Sequence, residues 1–197
     1  MSMTYTHNTH THIYTHTTKK HFLFKTCFFI VLMITFVLPL HSFKDINVAI
    51  NILFPSIYQF FNLDDLEELI VILNQKDFEC FNLHLNKVKL DYMDILKIKL
   101  VDEKTLYSKK SPSSYYLQML LKLLVCNLIK TEYYLTLDAD TLFTKKCNKH
   151  NFHNDKAYYH KIKLKDTWLE RSEKCLNTNV NFNVNQTPFV FKKDLVK

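Results

Sequence analysis

The chain has 197 residues, 47% apolar and 14% aromatic, enough for one folded domain and a short extension but not for two ordinary domains. It contains no glycine, which argues against Walker loops, Gly-rich dinucleotide turns, nucleophile elbows and EF-hand loops, and so against P-loop NTPase, kinase, glycine-fingerprint dehydrogenase and α/β-hydrolase chemistry. The net charge is +7, but Lys19, Lys20, Lys25 and Lys44 all precede the first acid, Asp45, and Arg171 is the only arginine, so a nucleic-acid partner is not expected.

Residues 1–20 open on MSMTYTHNTHTHIYTHTT, an alternation of Thr with His or Tyr that we read as a disordered low-complexity tract rather than a metal-binding one. Lys19, Lys20 and Lys25 then flank an uncharged run, Thr26–Leu40 (TCFFIVLMITFVLPL). The positive flank and apolar length predict a signal anchor or signal peptide over residues 21–41. The stretch LPLHSF lacks the small-x-small pattern of a cleavage site, which favours the anchor. The expected location is the membrane of the secretory pathway, single-pass, with the remainder in the ER or Golgi lumen; the alternative is secretion. The competing reading of the run is a buried core helix.

From Asp45 the pattern changes, and residues 45–197 are read as one domain. Ile46–Phe54 (INVAINILF) predicts a short strand ended by Pro55, with Ser56 capping a helical segment through about Asn62. The continuous apolar run Leu69–Leu73 predicts a strand buried on both faces. Ile95–Val101 alternates apolar residues with Lys and predicts a half-exposed strand, ended by Asp102 and Glu103. Ser111–Ile129 predicts the strongest helix, capped by Ser111, Ser113 or Ser114 and buried on most sides. Only Gln118 and Lys122 interrupt its apolar stretch Tyr115–Val125, and at i and i+4 they share a face. A Lys in such a helix either snorkels out at the edge or needs an anionic partner.

Tyr133–Leu137 predicts a strand that ends in Asp138-Ala139-Asp140, followed by Thr141, Leu142 and Phe143. Open α/β sheets place ligands at the carboxyl ends of their strands. Two carboxylates at i and i+2 there suit one hard divalent cation, Mg²⁺ or Mn²⁺, with substrate phosphates completing its shell. The small Ala139 between the acids is one of only three alanines.

The stretch Tyr115–Phe143, YYLQMLLKLLVCNLIKTEYYLTLDADTLF, resembles nucleotide-diphospho-sugar glycosyltransferases of the GT-A fold. In particular it resembles a poorly characterised glycosyltransferase-like family with a Q-x-x-x-K helix followed by a strand ending D-x-D-T-x-F. Gln118 and Lys122 match the helix pair; Asp138, Asp140, Thr141 and Phe143 match the strand end. Trp168 followed by Cys175-Leu176, and Asn185-Gln186-Thr187-Pro188 in place of a G-x-T-P turn, extend the match.

The resemblance implies an α/β, Rossmann-like three-layer sandwich with a mixed, mostly parallel sheet, preceded by the N-terminal hydrophobic segment. It also implies a metal-dependent glycosyltransferase of the hexosyltransferase type, using a nucleotide-diphospho-sugar donor and a glycan, lipid or protein acceptor. Gln118, Lys122, Asp138, Asp140 and Thr141 would form the donor site, with Asp138 and Asp140 holding Mn²⁺ or Mg²⁺. Asp140 would be the direct ligand, Asp138 a contact to ribose or metal, and Lys122 would lie near the diphosphate or brace the acids. The base on the acceptor stays unassigned among Asp155, Asp166, Glu170, Glu173 and Asp194. The chain ends soon after the T-P turn, and an incomplete domain is expected; the alternative is an inactive or truncated remnant acting as a binding protein.

Remaining signals are weaker. His150, His153 and His160 suggest a zinc site without a convincing ligand set. Cys27 and Cys126 read as buried thiols, and Cys80, Cys147 and Cys175 can supply one disulfide in an oxidising compartment. Asn185-Gln186-Thr187 is a sequon disfavoured by Pro188.

Overall fold

Ile34–Pro39 is wholly buried and forms β1, which pairs with a parallel strand on each side. The structure, a computed structural model, describes residues 33–109, 113–153 and 188–196. After β1, Ser42 caps α1 (Phe43–Val48) by accepting the Asp45 N–H. α1 runs through a π-helical turn (Ala49–Leu53) into α2 (Phe54–Phe60). Next come β2 (Leu66–Leu73), α3 (Phe78–Leu85), α4 (Tyr92–Ile95), β3 (Ile98–Asp102), α5 (Glu103–Leu106) and α6 (Ser114–Leu124). A 3₁₀ turn, Val125–Leu128, leads to β4 (Tyr133–Thr136), and β5 (Phe189–Lys192) completes the sheet.

The sheet order is β3-β2-β1-β4-β5, parallel throughout except for the antiparallel β4–β5 pair. Alternate residues of each strand feed two cores. Phe36, Leu69 and Val71 face one, with Ile46, Ile50, Leu53 and Ile57 from the α1–α2 segment and Phe81 from α3. Val37, Ile70, Ile72 and Tyr134 face the other, with Leu121 from α6, Val125 and Cys126. The molecule is therefore an α/β three-layer sandwich with a mixed, mostly parallel sheet, the fold class expected from the sequence. Each fully buried side chain of these cores contributes about 1.5–3 kcal/mol.

Several local expectations are corrected. The apolar run ending at Leu40 is not a single membrane segment over residues 21–41, because Ile34–Pro39 is the central strand. A strand with neighbours on both sides and helices on both faces reads as continuous apolar sequence, as a membrane segment does. The folded unit therefore begins before Asp45. Residues 1–32, including the Thr/His tract and Cys27, lie outside the described residues. Among those described, no helix is long and apolar enough to cross a membrane.

Ile46–Phe54 is helical rather than extended. Its buried residues Ile46, Ala49, Ile50, Leu53, Phe54 and Ile57 follow helical spacing. Asn47 and Asn51 share the exposed face, where Asn51 Nδ2 donates to Asn47 Oδ1 at 2.8 Å. Pro55 offers no N–H to the turn before it, where the helix widens to the π form. Ser56 is not a cap: its hydroxyl donates to the Leu53 carbonyl at 2.8 Å and accepts the Phe143 N–H at 3.2 Å. α6 buries only Leu121 and Lys122, and Tyr115 and Tyr116 are more than half exposed, so the helix is not buried on most sides.

Candidate functional site

The order β3-β2-β1-β4 creates the site. From β1 the chain adds β2 and then β3 on one side, with α1–α4 packed on one face of the sheet. It then returns to the other side of β1 through α5 and α6, which pack on the opposite face. The carboxyl ends of β1 and β4 are thus adjacent at the point where the strand order reverses, with α1 on one face of the sheet and α6 on the other. Such a topological switch point is where open α/β sheets form a ligand crevice.

A cleft of about 340 Å³ occupies this position, lined by Pro39 at the end of β1, Lys44, Asp45 and Val48 of α1, Gln118 of α6, and Asp138, Ala139 and Asp140 after β4.

The acids sit on a tight turn. The Leu137 N–H continues the ladder by donating to the Val37 carbonyl at 2.8 Å. The Thr141 N–H then donates back to the Asp138 carbonyl at 2.9 Å, and the Asp138 N–H donates to Thr141 Oγ1 at 3.1 Å. This reciprocal pair closes the turn without glycine. Ala139 is half-buried, packing partly against the first core while it lines the cleft. Phe143 anchors the far end of the loop, with its ring 5.9 Å from Phe36 and 6.2 Å from Phe61.

Lys122 reaches Asp138 from behind. Its Nζ lies 2.5 Å from Asp138 Oδ1, and Gln118 Nε2 donates to the same oxygen at 3.3 Å. The Lys122 side chain is 4% exposed and that of Asp138 31%. The helix is pinned in turn by Tyr134 of β4, whose hydroxyl donates to the Lys122 carbonyl at 3.2 Å. Burial drives this phenol far above its ordinary pKa, with the nearby Cys126 thiol adding to the shift, so it stays a neutral donor.

The sequence-derived residues therefore take two positions. Gln118, Asp138 and Asp140 line the cleft, whereas Lys122 and Thr141 stand behind and hold Asp138 in place. Asp140 is exposed to the cleft.

Lys44 and Asp45 were not legible as site residues. Asp45 Oδ2 accepts the His41 N–H at 3.3 Å while Ser42 Oγ accepts the Asp45 N–H at 3.1 Å, which fixes the β1–α1 turn at the cleft rim. The spacing S-x-x-D before an apolar periodic run was the available signal.

Other candidates fall elsewhere. His153 is buried and stacks on Tyr133 at 4.3 Å between centroids, and His150 is exposed, so the two do not form a shared site. Cys80 and Cys147 are free thiols, and Cys126 is buried. Asp194 follows β5, which runs antiparallel to β4, and so lies at the sheet edge opposite the cleft. Asp155, His160, Asp166, Trp168, Glu170, Glu173, Cys175, Leu176 and Asn185–Thr187 lie outside the described residues.

No curated protein matches the chain. Its fold is similar to that of 4-diphosphocytidyl-2C-methyl-D-erythritol synthase from Anaerococcus prevotii, at 14% identity and a TM-score of 0.43, over 84% of this chain and 72% of that one. It is also similar to the glycosyltransferase GlyE of Streptococcus pneumoniae, at 14% identity and a TM-score of 0.42, over 82% of this chain but only 34% of that one. A mycobacterial protein is similar at 15% identity and a TM-score of 0.37, over 57% of this chain and 32% of that one. Residues 32–197 match the profile of a family of unknown function, DUF6492, and the chain belongs to that family.

Proposed function

We propose that the chain transfers a sugar from a nucleotide-diphospho-sugar donor bound in the cleft, with a divalent cation held by Asp138 and Asp140. What supports this most is the position of the Asp138–Asp140 turn at the switch point beside β1, with Asp138 braced by the buried Lys122.

The charges suit the ligand. Asp45, Asp138 and Asp140 face Lys44 and Lys122, which leaves one net negative charge. A bare diphosphate meets repulsion there, and a diphosphate carrying a divalent cation does not.

The donor set fits Mg²⁺ or Mn²⁺ bound through one or two carboxylates and completed by water and phosphate. It does not resemble a closed protein cage: among the described residues no group of three or more His, Cys, Asp and Glu converges. When bound, such a cation supplies neutralisation of the charge that develops on the departing nucleotide diphosphate.

The chain's own residues do the rest. Asp140 presents its carboxylate to the cleft, and Asp138 is oriented by Lys122 and Gln118 toward the cation or the ribose. Lys44, on the opposite wall, offers an ammonium to the phosphates. Thr141 holds the turn so that the two acids keep their separation.

The test is thermal unfolding with Mn²⁺ or Mg²⁺, each alone and with UDP-glucose, UDP-N-acetylglucosamine or GDP-mannose. Cation and donor together should raise the melting temperature; a ligand at 100 times its Kd adds about 2.7 kcal/mol. Asp140→Ala should abolish the rise. No shift with any donor, or an unchanged shift in Asp140→Ala, would overturn the proposal.

A further inference from the structure

A second hollow, of about 750 Å³, opens just before the start of β2, at the end of the sheet away from the cleft, between the end of α2 and the loop through Cys147. Its walls are tied by backbone. The Asn62 N–H donates to the Cys147 carbonyl and the Cys147 N–H to the Phe60 carbonyl, both at 2.9 Å. Lys146 Nζ donates to the Gln59 carbonyl at 2.5 Å. The groove is thus held open by the fold itself.

Its polar groups are fixed in direction. Asn148 Oδ1 accepts the His150 N–H at 3.0 Å, and Asn151 Oδ1 accepts the Asn148 N–H at 2.7 Å. With both oxygens engaged in this reciprocal cap, each side chain keeps its amide nitrogen as a donor. Asn62 is held the other way: its nitrogen donates to Asp65 Oδ2 at 3.1 Å, which leaves its oxygen as an acceptor. Beside these amides lie the ring of Tyr58, 45% exposed, and the half-buried ring of Phe60.

We propose that this groove binds an uncharged carbohydrate chain. A pyranose has an apolar face of C–H groups that packs on an aromatic ring, and a rim of hydroxyls that each donate and accept. Tyr58 and Phe60 supply the apolar contact. Asn148, Asn151 and Asn62 supply two donors and an acceptor whose orientations are set before binding, which lowers the ordering cost. The charge balance selects a neutral ligand: Asp64 opposes Lys146, whose ammonium already serves a carbonyl. A nucleic acid or a phosphorylated ligand requires a positive excess that the groove lacks. The volume falls within the roughly 300–1,000 Å³ of small-ligand sites. The inference stands independently of the reaction in the cleft.

The test titrates the full chain with neutral tetrasaccharides (maltotetraose, cellotetraose, mannotetraose and chitotetraose) while amide NMR shifts are followed. At least one sugar should move the signals of residues 58–64 and 146–151. Tyr58→Ala should weaken that binding about tenfold. Asn151→Asp keeps a capping oxygen but exchanges the donor NH₂ for a second, charged oxygen, so it should weaken binding severalfold; its melting temperature checks that the cap survives. The proposal is overturned if no tetrasaccharide binds, if shifts are confined to the cleft, if Tyr58→Ala and Asn151→Asp both bind like the parent, or if the groove takes a single-stranded oligonucleotide instead.

Discussion

Asp138 and Lys122 are unequal partners. The ammonium is almost wholly buried, whereas the carboxylate is nearly one-third exposed and also accepts from Gln118. Losing the carboxylate strands a charge that water cannot reach; losing the ammonium leaves a carboxylate with water and an amide at hand. Asp138→Ala should therefore destabilise the fold by about 3 kcal/mol, and Lys122→Met, which keeps the apolar stem, by only about 1 kcal/mol. Urea unfolding of both variants checks the ranking, and a reversed order would mean that the lysine is not as dependent on Asp138 as its burial implies. These residues were legible in the sequence because their spacing is local: four apart on a helix face, and two apart at a strand end. Lys44 and Asp45 were not, because they come to line the same cleft as Asp138 only through the pairing of β1 with β4, a contact between segments far apart in the chain.

Elements proved readable where an apolar run stood between clear turn or cap residues. β2, β4 and α6 match their sequence patterns to within a few residues. The Ile46–Phe54 stretch did not, since Ile, Val and Pro55 suggested a strand and its end while the Asn47–Asn51 spacing carried the helical signal; the helix expected from Ser56 to about Asn62 is met by α2, Phe54–Phe60. β5 went unread, because its four residues are too few to show an alternation. The expected strand from Ile95 begins only at Ile98, because α4 first has to end. It does so at Lys97, whose φ of 48° puts a non-glycine residue in the left-handed region. Glycine is the usual residue at such a helix stop, and this chain has none. Lys97 compensates by donating its Nζ to the Leu66 carbonyl at 2.8 Å. Replacement by Gly or Ala removes that bond equally, but only Gly relieves the backbone. Lys97→Gly should therefore be more stable than Lys97→Ala by about 1 kcal/mol, the reverse of the usual order. Chemical denaturation of the pair decides it, and a more stable alanine variant would show that the left-handed turn is not strained.

Among the described residues each core carries one buried phenol of raised pKa, and alkaline stability reports on both faces of the sheet. Tyr92 lies in the core under α1–α4, its pKa raised by burial first and by the neighbouring Tyr58 second. Tyr134 lies in the core under α6, raised much further and chiefly by burial. Below pH 10 both phenols are protonated whether the chain is folded or not, and neither makes stability depend on pH. Above about pH 10 the unfolded chain releases these protons while the folded chain retains them. The folded state then binds more protons, so stability must fall as pH rises, by up to about 1.4 kcal/mol per pH unit for each phenol. The Cys147 thiol, raised by burial against a smaller opposing pull from Lys145, adds to the slope from about pH 9. Tyr134→Phe separates these contributions. It loses the hydrogen bond to the Lys122 carbonyl, so it should be about 1 kcal/mol less stable than the parent at pH 7. It also loses one titrating group, so its stability should fall less steeply above pH 10, and the two curves should converge or cross near pH 11. Urea unfolding at pH 7, 10 and 11 measures both effects. Parallel curves across that range would mean that the Tyr134 phenol ionises as readily in the folded protein as in the unfolded chain, and that the α6 face of the sheet is open to water.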